Sequence, residues 1–233
     1  MDRSAGPSGR EGPHAFVTDL EHPELTTEDE HHLGRVLRLR PGDPLTLSDG
    51  RGAWRAARFG SPPEIDGEVV EVPAPSPPIT IAFALVKGER PEWTVQKLTE
   101  LGVDVIRPFI ASRSVVRWTD EKMERSTERW RHIAREASMQ SRRCRLPEVH
   151  PPCTFAAVAA LDGAALAERD GAPLDLAHPV VLVGPEGGWA DEERALSLPE
   201  VRLGPQVLRA ETAAIAAGAL LAAQRLGGPG HAS

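Results

Sequence analysis

The spacing of apolar and polar positions changes character part-way along the chain. From Ala15 to Val72 the signals are short: Arg35 to Leu39 alternates, Leu45-Thr46-Leu47 is a brief run, Asp49-Gly50 is a turn pair, and Glu68 to Val72 alternates again. Short strands punctuated by glycine and proline predict a small β-barrel or sandwich. The segment Pro73-Ala74-Pro75-Ser76-Pro77-Pro78 then places four prolines in six residues, a stiff linker and a domain boundary. Beyond it the pattern becomes one of alternating strands and helices. Ile79 to Val86 reads as a buried strand. Residues 91–101 read as a helix with Pro91 at its first position and Gly102 as its cap, and Val103 to Ile110 as the next strand. Met123, Thr127, Trp130, Ala134 and Ala137 recur at spacings of 4, 3, 4 and 3, which predicts a helix over about 121–140. Val180 to Val183 predicts a central strand, Asp191 the start of another helix, and Leu208 to Leu226 an alanine-rich helix that a neighbour can approach closely. The class is α/β, preceded by a small β domain. The domains are a disordered start at 1–13, a β unit at 14–72, the linker at 73–78 and an α/β domain at 79–228.

Composition narrows the function classes. The 233 residues are 40% hydrophobic and 26% charged, as expected of a soluble globular protein. The longest apolar run, Ala213 to Ala223, is too short to cross a bilayer, and the first thirty residues hold eight acids, two arginines and no apolar core of a secretory signal. These features predict a cytoplasmic protein without membrane attachment. Cys144 and Cys153 read as ordinary thiols, and no cysteine or histidine spacing predicts a metal site.

Charge is polarised. The net charge is -7, yet residues 31–58 hold six arginines and two acids, and residues 122–145 hold eight bases and three acids. Arginine outnumbers lysine 24 to 3, which suits bidentate phosphate contacts and equally reflects biased codon composition. A charged run alone reads as a solvated face.

Two loops carry candidate chemistry. Val183-Gly184-Pro185-Glu186-Gly187-Gly188-Trp189 lies between a strand and a helix, where open α/β sheets expose backbone N–H groups to ligands. It fits neither a dinucleotide fingerprint nor a Walker A sequence. Leu203-Gly204-Pro205-Gln206-Val207-Leu208-Arg209 leads into Ala210-Glu211-Thr212-Ala213, with Arg209, Glu211 and Thr212 in the expected first helical turn. Arginine is unfavourable there, so Arg209 needs another reason to be present. Each loop alone reads equally as a structural turn; together they favour a bipartite small-molecule site.

These pieces, taken in order, resemble the RsmE family of small-subunit rRNA methyltransferases within the SPOUT superfamily. The resemblance begins at His32-Leu33-Gly34-Arg35-Val36-Leu37-Arg38, with Pro41-Gly42-Asp43 and Asp49-Gly50. It continues through Gln96 to Val103, Ser112-Arg113-Ser114 and Glu136 to Ser141 with Arg143, and ends in the two loops. Arg142, Gln206 and Ala210 depart from the family pattern.

The resemblance implies an N-terminal PUA-like β-barrel, a C-terminal SPOUT domain with a trefoil knot, and a homodimer. It implies S-adenosylmethionine as cofactor and methylation of N3 of one uridine in 16S rRNA, in the assembled or nearly assembled small subunit. Val183, Gly184, Pro185, Glu186, Gly187, Gly188, Leu203, Gly204, Leu208, Arg209 and Thr212 become the expected cofactor contacts. Arg35, Arg38, Arg113 and Arg143 become the expected RNA contacts. Uracil N3 carries a proton that must leave as the methyl arrives. Arg209 is therefore expected to stabilise charge on a uracil carbonyl, and Glu211 or Glu186 to accept the proton. A non-enzymatic RNA-binding factor, a methyltransferase acting on another RNA, and a small-molecule enzyme remain the rival readings.

Overall fold

The computed structural model describes residues 6–85, 91–114 and 118–227. Val86, residues 1–5 of the expected disordered start and residue 228 of the expected second domain lie outside the described residues. The chain divides into two units: residues up to Pro75 together with Arg135–Leu146, and Ser76–Ala134 together with the residues from Pro147 onward.

The first unit carries β1 (His14–Phe16), α1 (Thr27–His31), β2 (Pro44–Ser48), β3 (Ala53–Arg58), β4 (Glu64–Ile65) and β5 (Val70–Glu71). β1 runs parallel to β2, β2 antiparallel to β3, and β3 pairs with both β4 and β5. The inward set is Ala15, Val17, Leu20, Leu33, Leu45, Leu47, Ala53 and Ala57. β3 gives no apolar alternation in the sequence because one of its inward positions is Arg55, only 7% exposed. Its guanidinium donates to the carbonyls of Leu20 and Gly67 at 2.6–3.0 Å.

Arg35 to Leu39 is not a strand. Thr26 caps α1 by accepting from the Asp29 N–H, and a π-helical turn over His32–Val36 follows, closed by Leu37 N–H donating to the His32 carbonyl. The alternation misleads because Leu33 is the buried side chain, whereas Val36 and Leu37 are 59% and 46% exposed.

Residues 8–13, expected to be unstructured, make defined contacts: Ser8 with Glu11, and the Gly12 and Pro13 carbonyls with Arg142 and Thr46. Residues 135–146, expected in the second domain, group with the first unit. There Met139 packs on the core, and the Cys144 carbonyl accepts from Ser48 Oγ at 2.8 Å.

The second unit carries β6 (Thr80–Ala84), α2 (Pro91–Glu100), β7 (Val105–Ile110), α3 (Asp120–Ser141, of which the part up to Ala134 belongs here), β8 (Glu148–Val149) and β9 (Cys153–Thr154). It continues with α4 (Phe155–Ala159), β10 (Ala164–Pro173), β11 (Val180–Val183), α5 (Asp191–Arg194), β12 (Glu200–Arg202) and α6 (Ala210–Gly227). Its sheet is parallel throughout, in the order β12-β10-β11-β6-β7-β8, with β9 also on β7. Both faces are covered: Ile81 and Phe83 of β6 join one cluster, Ala82 and Ala84 the other, as continuous apolar strands require. In α6, a Cβ on Gly218 would stand 3.0 Å from Leu98 and Val103 side chains, so the small residue permits close packing on α2.

The connection between β10 and β11 positions the site. Parallel neighbours ordinarily need a crossover of about a dozen residues or more, yet here only residues 174–179 join them. The return is shortened because β10 breaks register: Ala167 and Ala172 both pair with Val201. Residues 168–171 form the resulting excursion, at the carboxyl end of the paired segment.

Candidate functional site

Glycine loops follow two parallel strands, β11 and β12, which flank β10 in the sheet and so deliver both loops to the same end of it. A cavity of about 410 Å³ opens at the carboxyl ends of β10, β11 and β12, within the size range of small-molecule sites. Val183, Gly184, Pro185, Glu186 and Gly188 line it from the first loop, and Leu203, Gly204, Leu208 and Arg209 from the second. Of the remaining lining residues, Trp189, Gln206, Val207, Ala210 and Ala213 fall within the two candidate segments but outside the expected cofactor contacts, whereas Ala167, Glu168 and Arg169 of β10 lie outside both segments. The β10 contribution had a signal, since an apolar run, Ala164 to Ala167, gives way to Glu168-Arg169-Asp170. It carries a single glycine, Gly171, where a Cβ would stand 2.5 Å from the Glu200 backbone, in place of the repeated glycines that drew attention to the first loop.

The first loop is held from behind. Trp189 is 3% exposed and stacks on Phe109 of β7, with centroids 6.1 Å apart and planes 6° from parallel. A Cβ on Gly184 would stand 3.0 Å from the Trp189 indole, so glycine lets the backbone cross that ring. Gly188 N–H donates to the Pro185 carbonyl at 2.9 Å, and Gly188 has a φ of 70°. Glu193 is 2% exposed, and its carboxyl accepts from Ser112 N–H and Ala190 N–H, each at 2.8 Å. The second loop is open by comparison, with Val207 80% exposed.

Charged groups of both signs reach the cavity wall. Glu168 is oriented by Arg194, 2.5 Å away, which also reaches Glu200 at 3.2 Å. Glu186 and Arg209 are exposed side chains on the same wall, with no ion-pair partner among the described residues. Arg209 precedes α6 instead of lying inside its first turn; its carbonyl accepts the Ala213 N–H at 2.8 Å. Gly187, Glu211 and Thr212 do not line the cavity.

The arginines expected to contact RNA are distributed unequally. Arg35 and Arg38 are exposed in the first unit without ion-pair partners among the described residues, and Arg38 has a φ of 61°. Arg143 is half-buried, with Nε donating to the Arg145 carbonyl at 3.1 Å. Arg113 belongs to the second unit, and its Nη1 donates to the Gly187 carbonyl at 2.9 Å.

Burial raises the Cys144 thiol to about 12 and also raises the Cys153 thiol, leaving neither activated. Among the described residues no group of histidine, cysteine and carboxylate side chains is arranged around a metal site, and no helix is long and apolar enough to cross a membrane.

A family profile described as an RNA methyltransferase domain matches residues 73–222, which include every residue lining the cavity. The chain belongs to this RNA methyltransferase family. A second profile, described as an RNA methyltransferase PUA domain, matches residues 25–70 of this RNA methyltransferase. Ribosomal RNA small subunit methyltransferase E from Synechocystis is 36% identical, over 81% of this chain and 69% of its own. The protein of that name from Mycobacterium tuberculosis is 35% identical over 82% of each chain. Among solved structures, Ribosomal RNA small subunit methyltransferase E from Neisseria gonorrhoeae, bound to S-adenosyl methionine, superposes with a TM-score of 0.73 at 29% identity, covering 89% of this chain and 95% of its own. A Legionella pneumophila protein described as a methyltransferase, in complex with the cofactor SAM, gives 0.74 at 32% identity, covering 90% and 96%.

Proposed function

We propose that this RNA methyltransferase uses S-adenosylmethionine to methylate N3 of a specific uridine in 16S rRNA of the small ribosomal subunit. The observation that carries the reading is the convergence of both glycine loops and Arg209 on one cavity at the carboxyl ends of parallel strands. Relatives sharing about a third of the sequence over most of its length are named for small-subunit rRNA methylation, and two structural relatives hold the cofactor.

The residues present suit that cofactor. Val183, Leu203 and Leu208 offer apolar wall to a purine ring, the glycine loops offer backbone groups to ribose and amino acid, and Glu168 and Glu186 balance a cationic ligand. When bound, the cofactor supplies an already activated methyl group, so the chain's share is alignment and management of the uracil proton. N3 lies on the pairing edge, and the base must be unpaired before it can enter. Arg209 stabilises negative charge on a uracil carbonyl as the N3 proton departs. Glu186 or Glu211 accepts that proton, directly or through water; Glu186 is favoured because it lines the cavity, as Arg209 does, and Glu211 does not.

The first unit is read as a PUA-like β-barrel whose Arg35, Arg38 and Arg143 hold RNA. A trefoil knot in the second unit is supported by its strand order: β12 lies at the sheet edge, yet the α6 that follows packs against β6 and β11 in the middle. The enzyme acts as a cytoplasmic homodimer, for which exposed Trp93, Leu220 and Leu226 on α2 and α6 offer apolar surface.

The deciding experiment incubates the protein with labelled S-adenosylmethionine and small subunits from cells lacking the modification, followed by nucleoside analysis. N3-methyluridine in 16S rRNA is expected. Cofactor binding without methyl transfer redirects the search to another RNA, and absence of cofactor binding removes the enzyme reading in favour of an RNA-binding factor.

A further inference from the structure

A loop made of Gly-Pro-Glu-Gly-Gly has little intrinsic preference for one shape, because each glycine opens backbone conformations closed to other residues. If such a loop is to receive a ligand without a large ordering cost, something outside it must fix it first. Two ties do so, and both come from the turn that follows β7. Arg113 Nη1 donates to the carbonyl of Gly187, in the middle of the loop, at 2.9 Å. Glu193, beyond the loop, uses one carboxyl oxygen to accept from Ser112 N–H and the other to accept from Ala190 N–H at the loop's end. The turn is itself anchored: Ser114 N–H donates to the Ala111 carbonyl, and Ser114 Oγ donates to the carbonyl of Leu85 after β6.

Helix capping alone does not account for Glu193. It is the third residue of α5, but α5 spans only Asp191–Arg194, and Ala190 has no side-chain oxygen with which to complete a reciprocal capping box. Half of the carboxyl's hydrogen bonding is spent on Ser112, which lies outside that helix. Arg113 likewise ends on a backbone carbonyl of the loop.

We propose that Glu193 and Arg113 are positioning residues that hold the Gly184–Trp189 loop, from the turn after β7, in the shape that receives S-adenosylmethionine. The inference rests on the cofactor reading above, and it gives Arg113 a role in cofactor affinity in place of RNA affinity. The Glu193 site demands two acceptors. Glutamine keeps one oxygen and turns an amide donor toward the other N–H, so Glu193→Gln loses one tie at nearly constant volume.

The test is calorimetric titration of S-adenosylmethionine into wild type, Glu193→Gln, Arg113→Ala and Arg113→Lys, with steady-state kinetics and thermal unfolding of each. In Glu193→Gln and Arg113→Ala the dissociation constant and KM for the cofactor are expected to rise about tenfold, the equivalent of one charge-assisted hydrogen bond. At saturating cofactor kcat is expected to stay within about twofold of wild type, as for a group that acts on ground state and transition state alike. Arg113→Lys, which retains a donor, is expected to recover part of the affinity. Arg113 is exposed, so its variants test the idea even if the Glu193 variant unfolds. Cofactor affinity unchanged in Arg113→Ala, with only the KM for RNA raised, overturns the proposal and returns Arg113 to RNA binding. A lowered melting temperature in Glu193→Gln without any change in cofactor affinity overturns the Glu193 part. Wild type that fails to bind S-adenosylmethionine removes the cofactor reading itself and is distinct from both.

Discussion

The interior of the first unit and the turn on its surface use the same residue type for opposite purposes. Inside, Arg55 is almost wholly buried among carbonyls, and Arg135 forms a two-pronged pair with Asp29 at 2.6 and 2.9 Å while its guanidinium also lies 5.7 Å from the Phe16 ring centroid. Outside, Arg35 and Arg38 flank exposed Val36 and Leu37 and have no ion-pair partner among the described residues. A guanidinium whose donors are already engaged braces the fold. One whose donors face water is available to phosphate. In an arginine-rich chain, partners and burial therefore separate structural cations from binding ones, and sequence neighbourhood does not: Arg35 and Arg55 belong to the same basic stretch.

Removing the carboxylate from the interior pair is the most damaging way to test that separation. Asp29→Ala leaves Arg135 without its main partner and is expected to cost about 3 kcal/mol in denaturant unfolding. The doubly substituted Asp29→Leu, Arg135→Met protein is expected to regain most of that loss. Equal destabilisation from Arg35→Ala would erase the distinction.

Protonation attacks the same interior. His14 is buried between Thr46 Oγ1 and the Arg143 carbonyl, 2.9 and 3.2 Å from its ring nitrogens. Burial lowers its imidazole to about 4, with the Arg143 carbonyl opposing the shift and the Arg142 charge adding to it. Because the unfolded value lies near 6.5, the unfolded chain takes up a proton first as pH falls. Stability is expected to drop between pH 6.5 and 4 by up to roughly 3 kcal/mol and then level off for this group. Chemical denaturation across that range, compared with His14→Gln, isolates the contribution; an identical slope in both proteins would assign it elsewhere.

On the exposed side, Arg209→Ala is expected to lower kcat about 100-fold, as loss of a single charge-stabilising donor does, with stability altered by less than about 0.5 kcal/mol. A wild-type rate at normal cofactor binding would end the Arg209 assignment. The smallest expected effect belongs to Arg35→Glu with Arg38→Glu. RNA binding weakens, and the slope of log affinity against log salt flattens by about 1 to 2. An unchanged slope would place the RNA elsewhere.

Much of the second unit was legible because its elements follow simple periods. Val180–Val183 is a strand with all four residues buried, α2 begins at Pro91, and the Met123–Ala137 spacing marks α3. The first unit was less legible, since β3 hides its inward face behind an arginine and the Arg35–Leu39 alternation belongs to a turn. At the site, both glycine loops announced themselves by composition, whereas Glu168 and Arg169 did not. They line the cavity only because β10 breaks register against β12, a property of strand pairing that no single segment carries.

The sequence by itself determined the α/β class, the break near the proline-rich linker and the loops that line the cavity, because each is written in neighbouring residues through periodicity, proline and glycine. Only the tertiary structure decided that residues 135–146 belong with the first unit and which arginines have partners. It alone decided that Glu193 meets Ser112 across 81 positions of chain and that Arg113 meets the Gly187 carbonyl across 74. Hydrogen bonds between residues far apart in sequence depend on where the chain folds back, and that is set by packing of the whole sheet.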